Sequence, residues 1–65
     1  MMSNLTAHQT AIVKLVTLGL SNRQIAQQLD ITEGTVKRHL HNIYDKLGVA
    51  NRYALIMSRF SLGNE

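Results

Sequence analysis

Apolar residues recur at helical spacing in four segments of the chain, and no segment shows the alternation of a half-buried strand. The clearest segment is 33–47, EGTVKRHLHNIYDKL, where one apolar side chain falls on the same face at each turn. The apolar positions, in chain order, are Ile12, Val13, Leu15 and Val16; Ile25, Ala26 and Leu29; Val36, Leu40, Ile43 and Leu47; and Tyr53, Ile56, Met57 and Phe60. The pattern predicts an all-α fold of four helices.

Polar residues with capping side chains mark where the helices should begin. Thr6 followed by Gln9, and Ser21 followed by Gln24, both fit the capping box, in which two side chains satisfy each other's free backbone N–H groups. The remaining ends are assigned in the same way, with Thr32 and Asn51 as N-caps and with Gly19 and Gly48 as left-handed C-caps.

Residues 21–47 have the organisation of a helix-turn-helix: a scaffold helix over about 21–29, a tight turn, and a longer helix over about 33–47. An ordinary helical hairpin has similar apolar spacing and is the alternative. The longer helix, however, carries three hydrogen-bond donors off its apolar seam, Lys37, Arg38 and His41. Donors on a helix that is anchored by its other face are typical of insertion into the DNA major groove.

Length and charge are compatible with this prediction. The chain has 65 residues, which predicts one domain over residues 1–65 with a stability on the order of 3–10 kcal/mol. Seven Lys and Arg residues against four Asp and Glu residues give a net charge of +3, which favours polyanionic partners. Without cysteine, neither a disulfide nor a thiolate-bound zinc ion is expected. No leader and no membrane-spanning apolar run is visible, so we expect a soluble, cytoplasmic, nucleoid-associated protein without a membrane partner.

The three histidines are candidates for a metal site or for catalysis. His39 and His41 are two residues apart on one helix, so their side chains diverge by about 200° and cannot hold the same ion. His8 is remote in sequence, and no nucleophile–base set, phosphate loop or close carboxylate pair is visible. His39 falls beside the apolar seam, where a packed side chain is expected. The sequence therefore predicts neither an enzyme nor a bound metal or cofactor.

Two segments carry a more specific pattern, LTAHQTAIVKLVTLGLSNRQIAQQLDIT and EGTVKRHLHNIYDKLGVANR. With their TVK-x-H and KLGV-x-NR motifs, they resemble the LuxR-type DNA-binding domain, which is shared with NarL/FixJ-type response regulators. The resemblance covers nearly the whole chain. It implies a compact four-helix helix-turn-helix fold of the winged-helix-like superfamily, without a wing.

The resemblance also implies a role for each residue that matches the family's motifs. Lys37, Arg38 and His41 are implied to face the base edges of duplex DNA. Lysine and arginine can donate to guanine O6 and N7, and each good contact gives about 1–3 kcal/mol of discrimination. Contacts to the DNA backbone are implied for Asn22, Arg23, Thr35, Lys46 and Arg52. For Lys46 and Arg52, an ordinary solvated face or a charge partner at a helix end is equally open.

The fourth helix is the predicted contact between two copies of the chain. Apolar residues lie on more than one of its sides, and Leu55 and Leu62 are expected to be exposed. The resemblance implies a homodimer through this helix, for which the candidates are Leu55, Ser58, Arg59 and Leu62. Such a dimer would place two recognition helices about one DNA turn, roughly 34 Å, apart. The alternative is that these residues complete a small core.

The chain departs from the family pattern at three places. The family's first helix usually opens with an Arg-Glu pair, where this chain has His8 and Gln9. Gln9 can close the capping box but cannot form the ion pair that a glutamate would. Leu55 stands where the family usually has alanine, which affects helix packing or the dimer surface. Gly34 costs about 0.5–1 kcal/mol relative to alanine; it either softens the first turn of its helix or lets the backbone approach a phosphate closely.

In the family, this domain is usually the C-terminal output of a longer regulator, such as the response regulator of a two-component system, and RNA polymerase is a further candidate partner. The pair Met1-Met2 is typical of a start codon added before a cloned fragment, although a free-standing small regulator fits as well. Two other functions stay open: the promoter-reading region of a sigma factor, and a protein-interaction module that does not bind DNA. The TVKRH and KLGVANR segments favour the DNA-binding regulator.

Overall fold

The computed structural model describes the backbone of residues 5–63 and the side chains of residues 5–58. The described backbone contains no strand and forms four helices, α1 (Ala7–Thr17), α2 (Asn22–Leu29), α3 (Glu33–Leu47) and α4 (Arg52–Gly63). The all-α prediction is confirmed. The scaffold and recognition segments expected from the sequence correspond to α2 and α3.

Both capping boxes are present, and they fix where α1 and α2 begin. Thr6 Oγ1 accepts the backbone N–H of Gln9 at 3.1 Å, while Gln9 Oε1 accepts the backbone N–H of Thr6 at 3.0 Å. Ser21 and Gln24 repeat this exchange at 3.2 and 2.9 Å. Each pair satisfies two N–H groups that a helix start otherwise leaves without a partner.

Single side chains cap the other two helices. Thr32 Oγ1 accepts the backbone N–H of Thr35 at 3.1 Å at the start of α3. Asn51 Oδ1 accepts that of Ala54 at 2.8 Å at the start of α4. All four N-caps expected from the sequence are therefore found.

Left-handed backbone follows α1, α2 and α3. Gly19 and Gly48 have φ values of 93° and 68° after α1 and α3, where glycine adopts this conformation without a steric cost. After α2, in the turn of the helix-turn-helix, the left-handed residue is Asp30, with φ at 59°. The N–H of Ile31 then donates to the carbonyl of Ala26 at 3.0 Å, which closes the end of α2.

The core lies where α1 packs against α2, α3 and α4 and where α2 packs against α3. Among the described side chains, nine apolar ones are buried there, Ile12, Val13, Val16, Ile25, Ala26, Val36, Leu40, Ile43 and Leu55. Three of the four residues expected in the apolar stripe of α3 are among them, and the fourth, Leu47, is partly buried and packs against them. This stripe anchors α3 by one face and leaves its other face in solvent.

The orientation of α4 differs from the expected one. Leu55, expected to be exposed, is 0% exposed and belongs to the core, so that expectation is wrong. Tyr53 and Met57 are instead 71% and 43% exposed. The face of α4 that packs inward contains Leu55 and Arg52, which are three residues apart and therefore share a side of the helix. Because Leu55 is enclosed by its own chain, it is not available to a second copy.

The other dimer candidates are only partly described. Ser58 is half-buried, and its hydroxyl donates to the carbonyl of Leu55 at 3.0 Å, a contact within α4. The side chains of Arg59, Phe60 and Leu62 lie outside the described ones.

Candidate nucleic-acid interface

The exposed face of α3 carries a cluster of hydrogen-bond donors. Lys37, Arg38 and His41 are all exposed, and they are neighbours because residues three or four apart lie side by side on a helix. Within the described part of the chain, none of the three forms a hydrogen bond or an ion pair. The opposite side of α3 is held in the core by Val36, Leu40 and Ile43. The donors of Lys37, Arg38 and His41 are therefore available to a ligand, and the packing of α3 fixes their position.

The first turn of α3 is open on the same side of the protein. Thr35 is half-buried, and its hydroxyl forms a hydrogen bond of 2.8 Å with the hydroxyl of Thr32. Gly34 is exposed, and a Cβ at this position would lie 3.8 Å from Thr32 Oγ1, an ordinary contact. Packing within the chain thus does not require glycine at position 34.

Arg52 joins the start of α4 to the start of α2. Its Nη1 donates to Asn22 Oδ1 at 2.6 Å, and its Nη2 donates to the carbonyl of Leu20 in the connection between α1 and α2. Both Arg52 and Asn22 are half-buried. Of the two roles left open for Arg52 by the sequence, the geometry favours a partner at a helix end over a contact to DNA. Arg23, the next residue of α2, is exposed and extends into solvent.

Lys46 joins the last turn of α3 to the first turn of α1. Its Nζ donates to Gln9 Oε1 at 3.1 Å, and Gln9 is 5% exposed whereas Lys46 is exposed. The same oxygen also accepts the N–H of Thr6. Gln9 Oε1 therefore accepts two hydrogen bonds, one that caps α1 and one that attaches α3 to α1. The sequence showed the cap but not the second contact, because the two residues are 37 positions apart.

His8 and His39 are brought together by the crossing of α1 and α3. Their ring centroids are 5.7 Å apart and the rings are parallel within 5°. The packed position expected for His39 fits this contact, while the participation of His8 has no signal in the sequence. His41 lies on the exposed face of α3, away from this pair.

The described residues include no group of three or more His, Cys, Asp or Glu side chains that could hold a metal ion. Among the helices described, none is both long enough and apolar enough to span a bilayer.

Comparison with known proteins identifies a family and relatives for the chain. The family model described as GerE, bacterial regulatory proteins, luxR family, matches residues 3–58. Two similar curated proteins are the HTH-type transcriptional regulators MalT of Vibrio campbellii and of Vibrio parahaemolyticus, each 42% identical over 60 residues. Each alignment covers 92% of this chain and 7% of the relative, so the chain spans a small part of the length of these regulators.

Proposed function

The chain belongs to the luxR family of bacterial regulatory proteins, and on that premise we propose that it binds duplex DNA sequence-specifically, with α3 in the major groove. The observation that carries the proposal is the exposed and unpartnered state, within the described residues, of Lys37, Arg38 and His41 on a helix whose other face is buried. Family membership favours this function over the sigma-factor alternative. We propose no catalytic role for the chain.

The base-reading role follows from the chemistry of the three side chains. Lys37 and Arg38 have donors that match O6 and N7 of guanine, and His41 lies one turn further along the same face. A helix of 15 residues is about 22 Å long, and its N-terminal half carries Lys37 and Arg38. We propose that this half enters the groove and reads the bases.

Contacts to phosphates would hold α3 in register. We propose Asn22 and Arg23 at the start of α2 and Thr35 at the start of α3 for this role, together with the exposed Lys46. Gly34 supports it, because the space that its missing side chain leaves open faces solvent and would let a phosphate approach the backbone.

We propose that the chain binds DNA as a homodimer through α4. With Leu55 buried, the candidate surface consists of the exposed side chains of Tyr53 and Met57 beside Ser58, and Arg59 and Leu62 remain predictions. Two copies would then read half-sites about one DNA turn, roughly 34 Å, apart. The exposed apolar side chains also suit a protein partner, which is the observation that keeps RNA polymerase as a second candidate.

The regulators that this chain resembles are much longer than the chain itself. We therefore propose that it acts in the cytoplasm as the DNA-binding output of a regulator. In such a regulator, a receiver domain of a two-component system is one candidate for the part that controls DNA binding.

The test begins with selection of the preferred duplex from a random DNA pool, followed by titration at several salt concentrations. We expect log affinity to fall linearly with log salt. Lys37→Ala and Arg38→Ala should each weaken binding to the preferred duplex by about 1–3 kcal/mol and relax base preference at one position. Lys14→Ala is the matched control, since it removes the same charge from an exposed position on α1.

Two results would contradict the proposal. One is duplex binding that is absent or independent of salt while circular dichroism shows a folded chain. The other is an equal loss of affinity in Lys14→Ala and Lys37→Ala, which would indicate attraction by net charge without base reading.

A further inference from the structure

We propose that Arg52 is a positioning residue: it holds the side-chain amide of Asn22 with its donor group toward a DNA phosphate and does not contact DNA itself. The inference rests on the DNA binding proposed above. It assigns Arg52 and Asn22, which both stood as candidate phosphate contacts, to two different roles.

The guanidinium of Arg52 is engaged within the chain. Nη1 donates to Asn22 Oδ1 at 2.6 Å and Nη2 donates to the carbonyl of Leu20. These two terminal nitrogens form the fork with which arginine usually binds a phosphate. To present this fork to a phosphate, Arg52 would have to leave both acceptors, and the Leu20 carbonyl would lose the charged donor that binds it. A half-buried arginine in this state is a poor phosphate ligand.

The contact fixes the orientation of the Asn22 amide. A guanidinium only donates hydrogen bonds, so its partner on asparagine must be the carbonyl oxygen. The amide nitrogen of Asn22, with its two hydrogens, is then turned away from Arg52. Without Arg52, the amide is free to flip and to present an acceptor to a phosphate, which would be repelled.

The place of Asn22 makes this orientation useful. It is the first residue of α2, and the Ser21 side chain takes the N–H of Gln24, two residues further along. The backbone N–H groups of Asn22 and Arg23 are therefore left without a partner in the helix, at the end of α2 that carries the Asn22 side chain. An oriented neutral donor beside these groups and the exposed Arg23 suits one phosphate oxygen.

The same contact connects α4 with α2. Leu55, one turn after Arg52, is enclosed in the core, so the start of α4 cannot move far without moving Arg52. A displacement of the start of α4 would therefore disturb the hydrogen bond between Arg52 and Asn22.

The experiment compares five forms of the chain on the preferred duplex: the unaltered chain, Arg52→Ala, Arg52→Lys, Asn22→Ala and the double variant Arg52→Ala with Asn22→Ala. Affinity is measured between about 50 and 200 mM salt, because the slope of log affinity against log salt counts the charged phosphate contacts. Arg23→Ala is the matched control, in which an exposed arginine of the same region is removed.

We expect Arg52→Ala and Arg52→Lys each to weaken binding about 10-fold, the order expected for loss of one charge-assisted hydrogen bond. The salt slope should stay unchanged in both, whereas Arg23→Ala should reduce it by about 0.9. The double variant should bind no more weakly than Asn22→Ala alone. In NMR spectra of the free chain, the side-chain amide signals of Asn22 should shift in both Arg52 variants.

A direct phosphate contact by Arg52 would give the opposite pattern. The slope would fall by about 0.9 in Arg52→Ala, Arg52→Lys would keep most of the affinity because it keeps the charge, and the losses in the double variant would add. Full affinity in a folded Arg52→Ala variant would also overturn the proposal. If Arg52→Ala does not fold by circular dichroism, Arg52→Lys and Asn22→Ala decide the question. Failure of the DNA-binding function itself is separate, since it appears as absent salt-dependent binding in the unaltered chain.

Discussion

Replacement of Gln9 by glutamate is expected to stabilise the fold through the contact that joins α3 to α1. Gln9 is 5% exposed, and its Oε1 accepts the N–H of Thr6 at 3.0 Å and the Nζ of Lys46 at 3.1 Å. Gln9→Glu preserves the size of the side chain and both acceptor contacts. It changes the neutral acceptor of a lysine into a charged one at the N-terminus of α1.

The size of the effect follows from three terms. The bond from the charged Lys46 to Gln9 already belongs to the class that contributes about 1.5–3 kcal/mol. A carboxylate acceptor adds the attraction of an ion pair with the exposed Lys46, about 0–1 kcal/mol. A negative charge in the first turn of a helix adds about 0.3–1 kcal/mol. The free-energy cost of removing the carboxylate from water opposes both terms and offsets a large part of them. We expect a net gain of about 0.5 kcal/mol, which corresponds to a rise in Tm of about 2–4 °C for a domain of this size.

Thermal unfolding followed by circular dichroism at several pH values is the assay. The folded state favours the ionised carboxylate, so the gain is fully present at pH 7 and is lost on acidification below about pH 4. Gln24→Glu is the matched control, because Gln24 occupies the same position of the other capping box and is exposed. A gain in Gln9→Glu no larger than in Gln24→Glu would refute the contribution of Lys46. A Tm below that of the unaltered chain at pH 7 would refute the reasoning altogether.

Three further substitutions test the fold. Leu55→Ala should lower the free energy of unfolding in urea by about 2–5 kcal/mol, because the side chain is 0% exposed within the core. Met57→Ala is the control on the same helix: at 43% exposure, it should change the free energy of unfolding by no more than about 0.5 kcal/mol. Equal effects would mean that α4 is not oriented as described. Asp30→Gly should raise the free energy of unfolding by about 1 kcal/mol, because φ is 59° at this position; a lower Tm would show that the aspartate side chain stabilises the turn.

The helices and their ends were predictable because the signals for them are local. Capping boxes such as Thr6 with Gln9 act over three residues, and the apolar stripe of α3 is visible from helical spacing alone. The exposed face of α3 was predictable for the same reason, since Lys37 and Arg38 must point away from a buried seam. These parts of the fold depend on no distant contact.

The orientation of α4 was not predictable, because apolar residues on several of its sides leave the local pattern ambiguous. What decides it is long-range: Leu55 enters the core, and Arg52 reaches acceptors 30 and 32 residues earlier in the chain. The sequence could state two roles for Arg52 but could not choose between them. The bond between Lys46 and Gln9 was hidden for the same reason, since separation along the chain carries no information about distance in space.

The division of α3 into a buried face and a solvent face has an evolutionary consequence. Substitutions at Lys37, Arg38 and His41 leave the core intact and break no hydrogen bond within the described residues, so each should alter stability by about 0.5 kcal/mol or less. Under the base-reading role proposed for these residues, operator preference can drift by single replacements at these positions, with no compensating change elsewhere in the chain. A lineage of such domains can diversify its target sites while the scaffold that presents them stays the same.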